Sequence, residues 1–260
     1  MKILHVTTSF KPAWETGGVN RVAYELSKNF AKLGNDVTVY TTDRGNNRVN
    51  VQKNVPLSVD GVKVYYFKNI SNYFAQKKIA TPYYLPIIAR KEIKNFDIIH
   101  IHEHRTLLSV VVCHYAKKFN IPYIIQAHGS LPKDIGKGKL KSVFDLFWRD
   151  KILKSASNVI ALNQKEAGQY QRMGVDKRRI EVIPNGIDLT EYNNLPKKGE
   201  FKRKYGIKDD EKIILYLGRL DQAKGLDLLV KSFADLTNQL QNIRLILIGG
   251  TPDIGKNSKK

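Results

Sequence analysis

The chain has 260 residues and a mass of 29.7 kDa, with 42% hydrophobic and 26% charged residues, so it can bury one large core or two smaller ones and is not a disordered polymer. Its 44 Lys and Arg against 24 Asp and Glu give a formal charge of +20, which is either a solvated basic surface or a preference for anionic partners such as nucleic acid, an anionic membrane or a phosphorylated small molecule. The lone Cys113 excludes an internal disulfide, no apolar run approaches the ~20 residues of a membrane span, and the first residues turn polar too soon for a signal peptide, so a cytoplasmic protein is expected.

Apolar runs with strand character alternate with helical ones, which predicts a parallel α/β architecture. A strand over 2–7 leads through Gly17-Gly18 into a helix over 19–33, with Val22, Leu26, Phe30 and Leu33 on one face and Gly34 as its stop. A strand over 36–41 precedes an Asn-rich stretch, 43–54, expected to be a mobile loop. Strands over 61–67, 97–101, 122–127, 158–161 and 180–183 then alternate with helices over 83–93, 105–118, 139–154 and 164–173. The pattern breaks between 189 and 206, where Asn193-Asn194, Pro196 and clustered Lys and Arg mark a domain boundary. Beyond it lie a strand over 212–217, a helix over 226–240 and a strand over 243–248, too little for a closed domain because sheet edges and one face stay open.

Gly218-Arg219-Leu220-Asp221-Gln222-Ala223-Lys224-Gly225 joins the strand over 212–217 to the following helix. A glycine after a strand, then an arginine and a lysine ahead of a helix N-terminus, form an anion trap from backbone N–H groups, the helix dipole and two cations. The bland alternative is two solvated cations on an exposed turn. Gly17-Gly18 occupies a similar junction and reads either as a turn needing φ > 0 or as backbone open to a ligand. Its spacing is not Gly-x-Gly-x-x-Gly, which argues against a nicotinamide enzyme.

His128, with Gly129-Ser130, follows the strand over 122–127, at the edge where open α/β sheets place ligands. His100 and His102 share one strand face, while Glu103 and His104 begin the turn after it. No further ligand stands at metal-site spacing, so no metal is expected, and Glu103 and His104 are read as edging a cleft. Asn185-Gly186 is an interdomain turn near the ligand or a plain turn. Within 139–154, Leu140, Val143, Phe144, Phe147, Trp148 and Ile152 share a helical face, and seven Lys or Arg oppose three Asp between 133 and 154. Such a helix either lies on an anionic bilayer or packs on the sheet. Elsewhere the basic residues are scattered, without stacking aromatics, so no nucleic acid is expected.

Taken in order, the set Lys2-Ile3-Leu4-His5-Val6, Gly17-Gly18-Val19, Asp97-Ile98-Ile99-His100-Ile101-His102, Ala127-His128-Gly129, Val182-Ile183-Pro184-Asn185-Gly186-Ile187-Asp188 and Gly218-Arg219-Leu220 with Lys224-Gly225 resembles the family 4 retaining glycosyltransferases. The resemblance covers nearly the whole chain. It implies an α/β, GT-B-like fold: a complete N-terminal Rossmann-like acceptor-side domain over 1–190, a linker over 191–206, and the first β-α-β portion of an incomplete donor-binding Rossmann-like domain over 207–260. The implied reaction moves a sugar from a nucleotide-diphosphate sugar to a hydroxyl of a lipid-linked or surface glycan, with no metal or other cofactor. Gly17, Gly18, Arg219 and Lys224 would bind the donor phosphates, and Arg219 and Lys224 would also be catalytic by stabilising the leaving diphosphate. His128 would face the donor sugar as the third catalytic residue, with Glu103, His104, Asn185 and Gly186 at the acceptor or cleft. A lipid-linked acceptor would suit peripheral contact with the inner face of the cell membrane through 139–154.

The family also carries two glutamates separated by seven residues, one facing the sugar and one holding the ribose, together with a base pocket. These have no counterpart before Lys260. The chain is therefore expected to be truncated and impaired by itself. The alternative is a non-catalytic remnant or subunit that binds glycan or a partner chain completing the second lobe.

Overall fold

The computed structural model describes residues 1–260 except 78, 133–137, 221–223 and 251–260, and only the backbone of Glu191. The sequence-predicted polar tail from Thr251, the central Asp221-Gln222-Ala223 of the anion trap and part of the basic run after Pro132 lie outside the described residues. The chain divides into two units, Met1–Ile187 and Asp188–Lys260. The sequence reading placed this division at 190.

The first unit is one eight-stranded sheet in the order β3-β4-β2-β1-β5-β6-β7-β8. Its strands are β1 (Lys2–Val6), β2 (Asp36–Thr42), β3 (Pro56–Val59), β4 (Val62–Phe67), β5 (Ile98–His102), β6 (Tyr123–Gln126), β7 (Asn158–Ala161) and β8 (Ile180–Val182). Only the β3–β4 pair is antiparallel. The central strands read as near-continuous apolar runs because both sheet faces are covered. Leu4 and Val6 of β1 pack into one core layer with Leu85, Ala89, Leu108 and Val112. Ile3 faces the other layer with Ala23, Tyr24, Val37 and Val39. The helices are α1 (Gly18–Lys32), α2 (Asn72–Gln76), α3 (Leu85–Glu92), α4 (Leu107–Lys118), α5 (Gly138–Phe144), α6 (Asp150–Leu153) and α7 (Gln164–Arg172).

Three expectations need correction. The deepest face of α1 is Asn20, Ala23, Tyr24 and Ser27, while Leu33 is 77% exposed. Small side chains at 23 and 27 let the helix backbone approach the sheet, so packing distance overrode the larger apolar residues. The stretch 43–54 is pinned: buried Asp43 accepts hydrogen bonds from Arg48, the Asn69 backbone N–H and the Asn69 side chain at 2.8–3.0 Å. Finally, β3 and α2 escaped the sequence reading because they are short and lack a full period of apolar residues.

The second unit contains α8 (Glu200–Lys204), β9 (Lys212–Leu217), α9 (Leu226–Thr237) and β10 (Ile243–Ile248), with β9 and β10 parallel and in register from Lys212↔Ile243 to Leu217↔Ile248. The helix α8 falls inside the stretch expected to be linker. No residue of α9 is buried, and Leu217, Leu228 and Leu215 are 56–73% exposed. Among the described residues, no helix is long and apolar enough to cross a membrane.

Candidate functional site

Strand order in the first sheet reverses between the parallel strands β1 and β5, since β1 is followed by β2 on one side and β5 continues towards β8 on the other. The C-terminal ends of strands at such a switch point form the usual ligand crevice of an open α/β sheet. Gly17, Gly18, Glu103 and His128 all lie in the segments that leave these ends. Gly17 is the N-cap of α1 at φ 124°, ψ −174°, with no side-chain cap, so the first-turn N–H groups of a 15-residue helix are left to a ligand or water. A positive φ of this size is open to glycine and strained for other residues. Glu103, at φ 71°, accepts a 3.3 Å hydrogen bond from Thr8, whose hydroxyl also receives Arg44 at 3.3 Å. Burial pulls the Arg44 guanidinium down, while Glu103 and Glu15 hold it up. Thr8, Arg44 and Glu15 were missed by sequence reading, because only the fold carries them to the edge beside Glu103.

His128 is held in a left-handed conformation, φ 53°, followed by Gly129 at φ 77°. A non-glycine residue there is strained, and its surroundings must fix it. They do so from several directions. The Gly129 N–H donates to Glu166 Oε1 and the Leu162 N–H to Glu166 Oε2, both at 2.7 Å. The Ala127 N–H donates to the Tyr170 hydroxyl at 2.9 Å. Arg105 donates to the carbonyls of Ser130 and Leu131 at 2.5 and 3.0 Å, and forms a two-pronged pair with Asp145 at 2.8 Å per prong. The loop is thus preorganised by groups that are not themselves at its surface.

Behind His128 runs a line of imidazoles. His128 Nε2 lies 2.9 Å from His102 Nδ1, and His102 Nε2 lies 3.1 Å from His5 Nδ1. His5 and His100 are register partners across β1 and β5. Burial pushes His5 and His128 down to about 4 and holds His100 and His102 well below the usual histidine range, so all four rings are neutral at pH 7. The nitrogens of His5, His100 and His102 lie within 4.8 Å of one another. Both His102 nitrogens are nonetheless engaged, Nδ1 with His128 and Nε2 with His5, and the His100 ring stacks on it with centroids 4.2 Å apart and planes at 26°.

His104, expected beside Glu103 at the cleft, is fully buried, and burial pushes it to about 3. Its ring points inward because the turn into α4 aims residue 103 and residue 104 in opposite directions. Asn185 accepts a 3.2 Å bond from Gln126, next to the His128 loop, and Gly186 is exposed beside it. The helix expected over 139–154 runs as α5, a π turn over Asp145–Arg149, and α6. Asp145, the first residue of the π turn, faces inward and pairs with Arg105. Phe144, Trp148 and Ile152 pack on the core, while Leu140, Val143, Leu146 and Phe147 are 48–79% exposed.

In the second unit, Gly218 follows β9 and meets Gly249 so closely that a Cβ on Gly249 would lie 1.7 Å from the Gly218 carbonyl oxygen. The Arg219 carbonyl accepts from the Tyr216 hydroxyl at 2.7 Å, and the Arg219 side chain is exposed. Lys224, also exposed, precedes Gly225, which caps α9 at φ 66° without a side-chain hydrogen bond.

The family pattern of Glycosyltransferase Family 4 matches residues 16–191, and that of Glycosyl transferases group 1 matches 197–260. The chain belongs to Glycosyltransferase Family 4. Among curated relatives, a D-inositol 3-phosphate glycosyltransferase of Kineococcus radiotolerans is 22% identical over 93% of this chain and 58% of its own length. One of the same description from Geodermatophilus obscurus is 27% identical over 85% of this chain and 50% of its own. Among solved structures, Anabaena HepE in complex with UDP matches with a TM-score of 0.71 at 19% identity, covering 96% of this chain and 61% of HepE. Sucrose-phosphate synthase of Thermosynechococcus elongatus matches at 0.69 and 19%, covering 96% and 62%. The fold class is accordingly the α/β GT-B class, and this chain spans about 60% of the length of such proteins.

Proposed function

We propose that this chain takes part in a retaining transfer of sugar from a nucleotide-diphosphate sugar to a hydroxyl acceptor, a lipid-linked or surface glycan. The observation that carries the reading is the β9–α9 junction, where exposed Arg219 and Lys224 precede a helix start without a side-chain cap. As the glycosidic bond breaks, negative charge grows on the departing diphosphate. Fixed cations and oriented N–H groups interact with that charge more strongly than with the ground state, which lowers the barrier. His128, in its strapped loop, faces the sugar. Gly17 and Gly18 offer backbone N–H groups to phosphate, and Glu103 with Thr8 and Arg44 edges the acceptor side. No step in this scheme calls for a metal. That UDP and UDP-glucose are bound by HepE supports a nucleotide-sugar donor. Exposed Leu146 and Phe147, in a segment with seven Lys or Arg against three Asp, support peripheral contact with an anionic membrane.

The test is calorimetric titration of UDP into the wild-type chain and into Arg219→Ala and Lys224→Ala. A charge-assisted hydrogen bond is worth about 1.5–3 kcal/mol, so each substitution should weaken binding roughly 10- to 100-fold. Unchanged affinity in both variants would remove the proposed role.

A further inference from the structure

The histidine line behind His128 has a direction. The centroid separations of 5.4 Å (His5–His102) and 5.2 Å (His102–His128) exceed the nitrogen–nitrogen distances by just two imidazole ring radii, and the ring planes differ by only 21° and 15°. Both contacts therefore run in line with the rings, as hydrogen bonds between a ring N–H and a ring lone pair. A neutral imidazole has one of each, so fixing the proton on one ring fixes it on all three.

Two directions exist. If His128 donates, the line ends with a proton on His5 Nε2, a buried atom without a partner. If His5 donates, the same atom keeps a bare lone pair instead. Orphaned buried N–H groups are rarer than under-used acceptors, so the second direction is favoured. His102 then donates from Nδ1 to His128 Nε2, and the His128 proton sits on Nδ1. That nitrogen has no partner among the described residues, and the ring is part-exposed at the loop.

We propose that His102, backed by His5, is a positioning residue that locks His128 as its Nδ1–H tautomer and presents this N–H as a hydrogen-bond donor to a sugar oxygen. The ligand assignment rests on the reading of His128 given above, whereas the tautomer does not depend on it. His100 stacks on His102 and stays outside the line, with its Nε2 also unpartnered.

The experiment is two-bond 15N–1H correlation on the histidine-labelled 260-residue chain at pH 7, with His128→Gln to assign the signals. The expected wild-type result is a single Nδ1–H tautomer for His128. His102→Phe should move the proton to Nε2, the position preferred by a free imidazole. His102→Asn, whose amide replaces Nδ1, should restore the wild-type pattern, which a purely space-filling role would not produce. Equimolar zinc should change nothing. A wild-type Nε2–H tautomer, an unchanged tautomer in His102→Phe, or zinc-dependent loss of the His5 and His102 signals would each overturn the proposal. The wild-type spectrum decides the question even if His102→Phe does not fold.

Discussion

Arg105 and Asp145 are 8% and 2% exposed, and Arg105 directs two further donors to the Ser130 and Leu131 carbonyls of the His128 loop. Removing one partner takes from the other the two-pronged charge pair that offsets its burial. Arg105→Leu takes the guanidinium from a buried carboxylate and the donors from two carbonyls, and Asp145→Leu takes the carboxylate from a buried guanidinium. Breaking a buried pair in this way costs about 3–5 kcal/mol, whereas replacing both partners with apolar side chains of similar volume is often close to neutral. With a urea m-value of about 2–3 kcal/mol/M, each single variant should lower the unfolding midpoint by roughly 1–2 M, and Arg105→Met with Asp145→Leu should recover most of that loss. Intrinsic tryptophan fluorescence suits the assay, because both tryptophans, Trp14 and Trp148, belong to the first unit and Trp148 lies three residues from Asp145. Single variants within about 0.5 kcal/mol of wild type, or strictly additive losses in the double variant, would refute the strapping role.

Acidification should destabilise the first unit before most carboxylates titrate. His5 and His128 are pushed to about 4 and His104 to about 3 when folded, against about 6.5 unfolded, so the unfolded chain binds more protons and stability falls as pH drops from about 6.5 towards 4. The fall should exceed the ~1.4 kcal/mol per pH unit of a single imidazole; a urea midpoint unchanged between pH 7 and 5 would contradict the buried-neutral assignment. Leu146→Glu with Phe147→Glu should lower co-sedimentation with anionic vesicles at least about tenfold, since burying each side chain is worth about 1.5–3 kcal/mol, without moving the unfolding midpoint. Equal sedimentation of wild type and variant would remove the membrane contact.

Much of the fold was legible because parallel strands covered on both faces are near-continuous apolar runs with glycine or proline punctuation. Nearly all the major strands could be placed to within a residue or two on that signal alone. The inward face of α1 was not legible, since close packing on the sheet favours Ala23 and Ser27 over Leu26 and Leu33. At the site, His128, Glu103 and Gly17 stood out by their position after strands. His104 misled, because adjacent residues in a turn point opposite ways and only the fold says which is inward. His5 passed unremarked as a site residue: its meaning arises from pairing with β5, which brings positions 5 and 102 together across 97 residues. The Arg105–Asp145 pair was likewise hidden, because it joins residues 40 apart in sequence that only the fold brings together.

The central claim concerns phosphate at the start of α9, and amide NMR of the 15N-labelled chain during UDP titration tests it most directly. The largest shift changes should fall on Gly218, Arg219, Gly225 and the first-turn amides of α9, and in Lys224→Ala should require roughly 10- to 100-fold more UDP. Shifts confined to other segments, or a Lys224→Ala spectrum that responds like wild type, would contradict it.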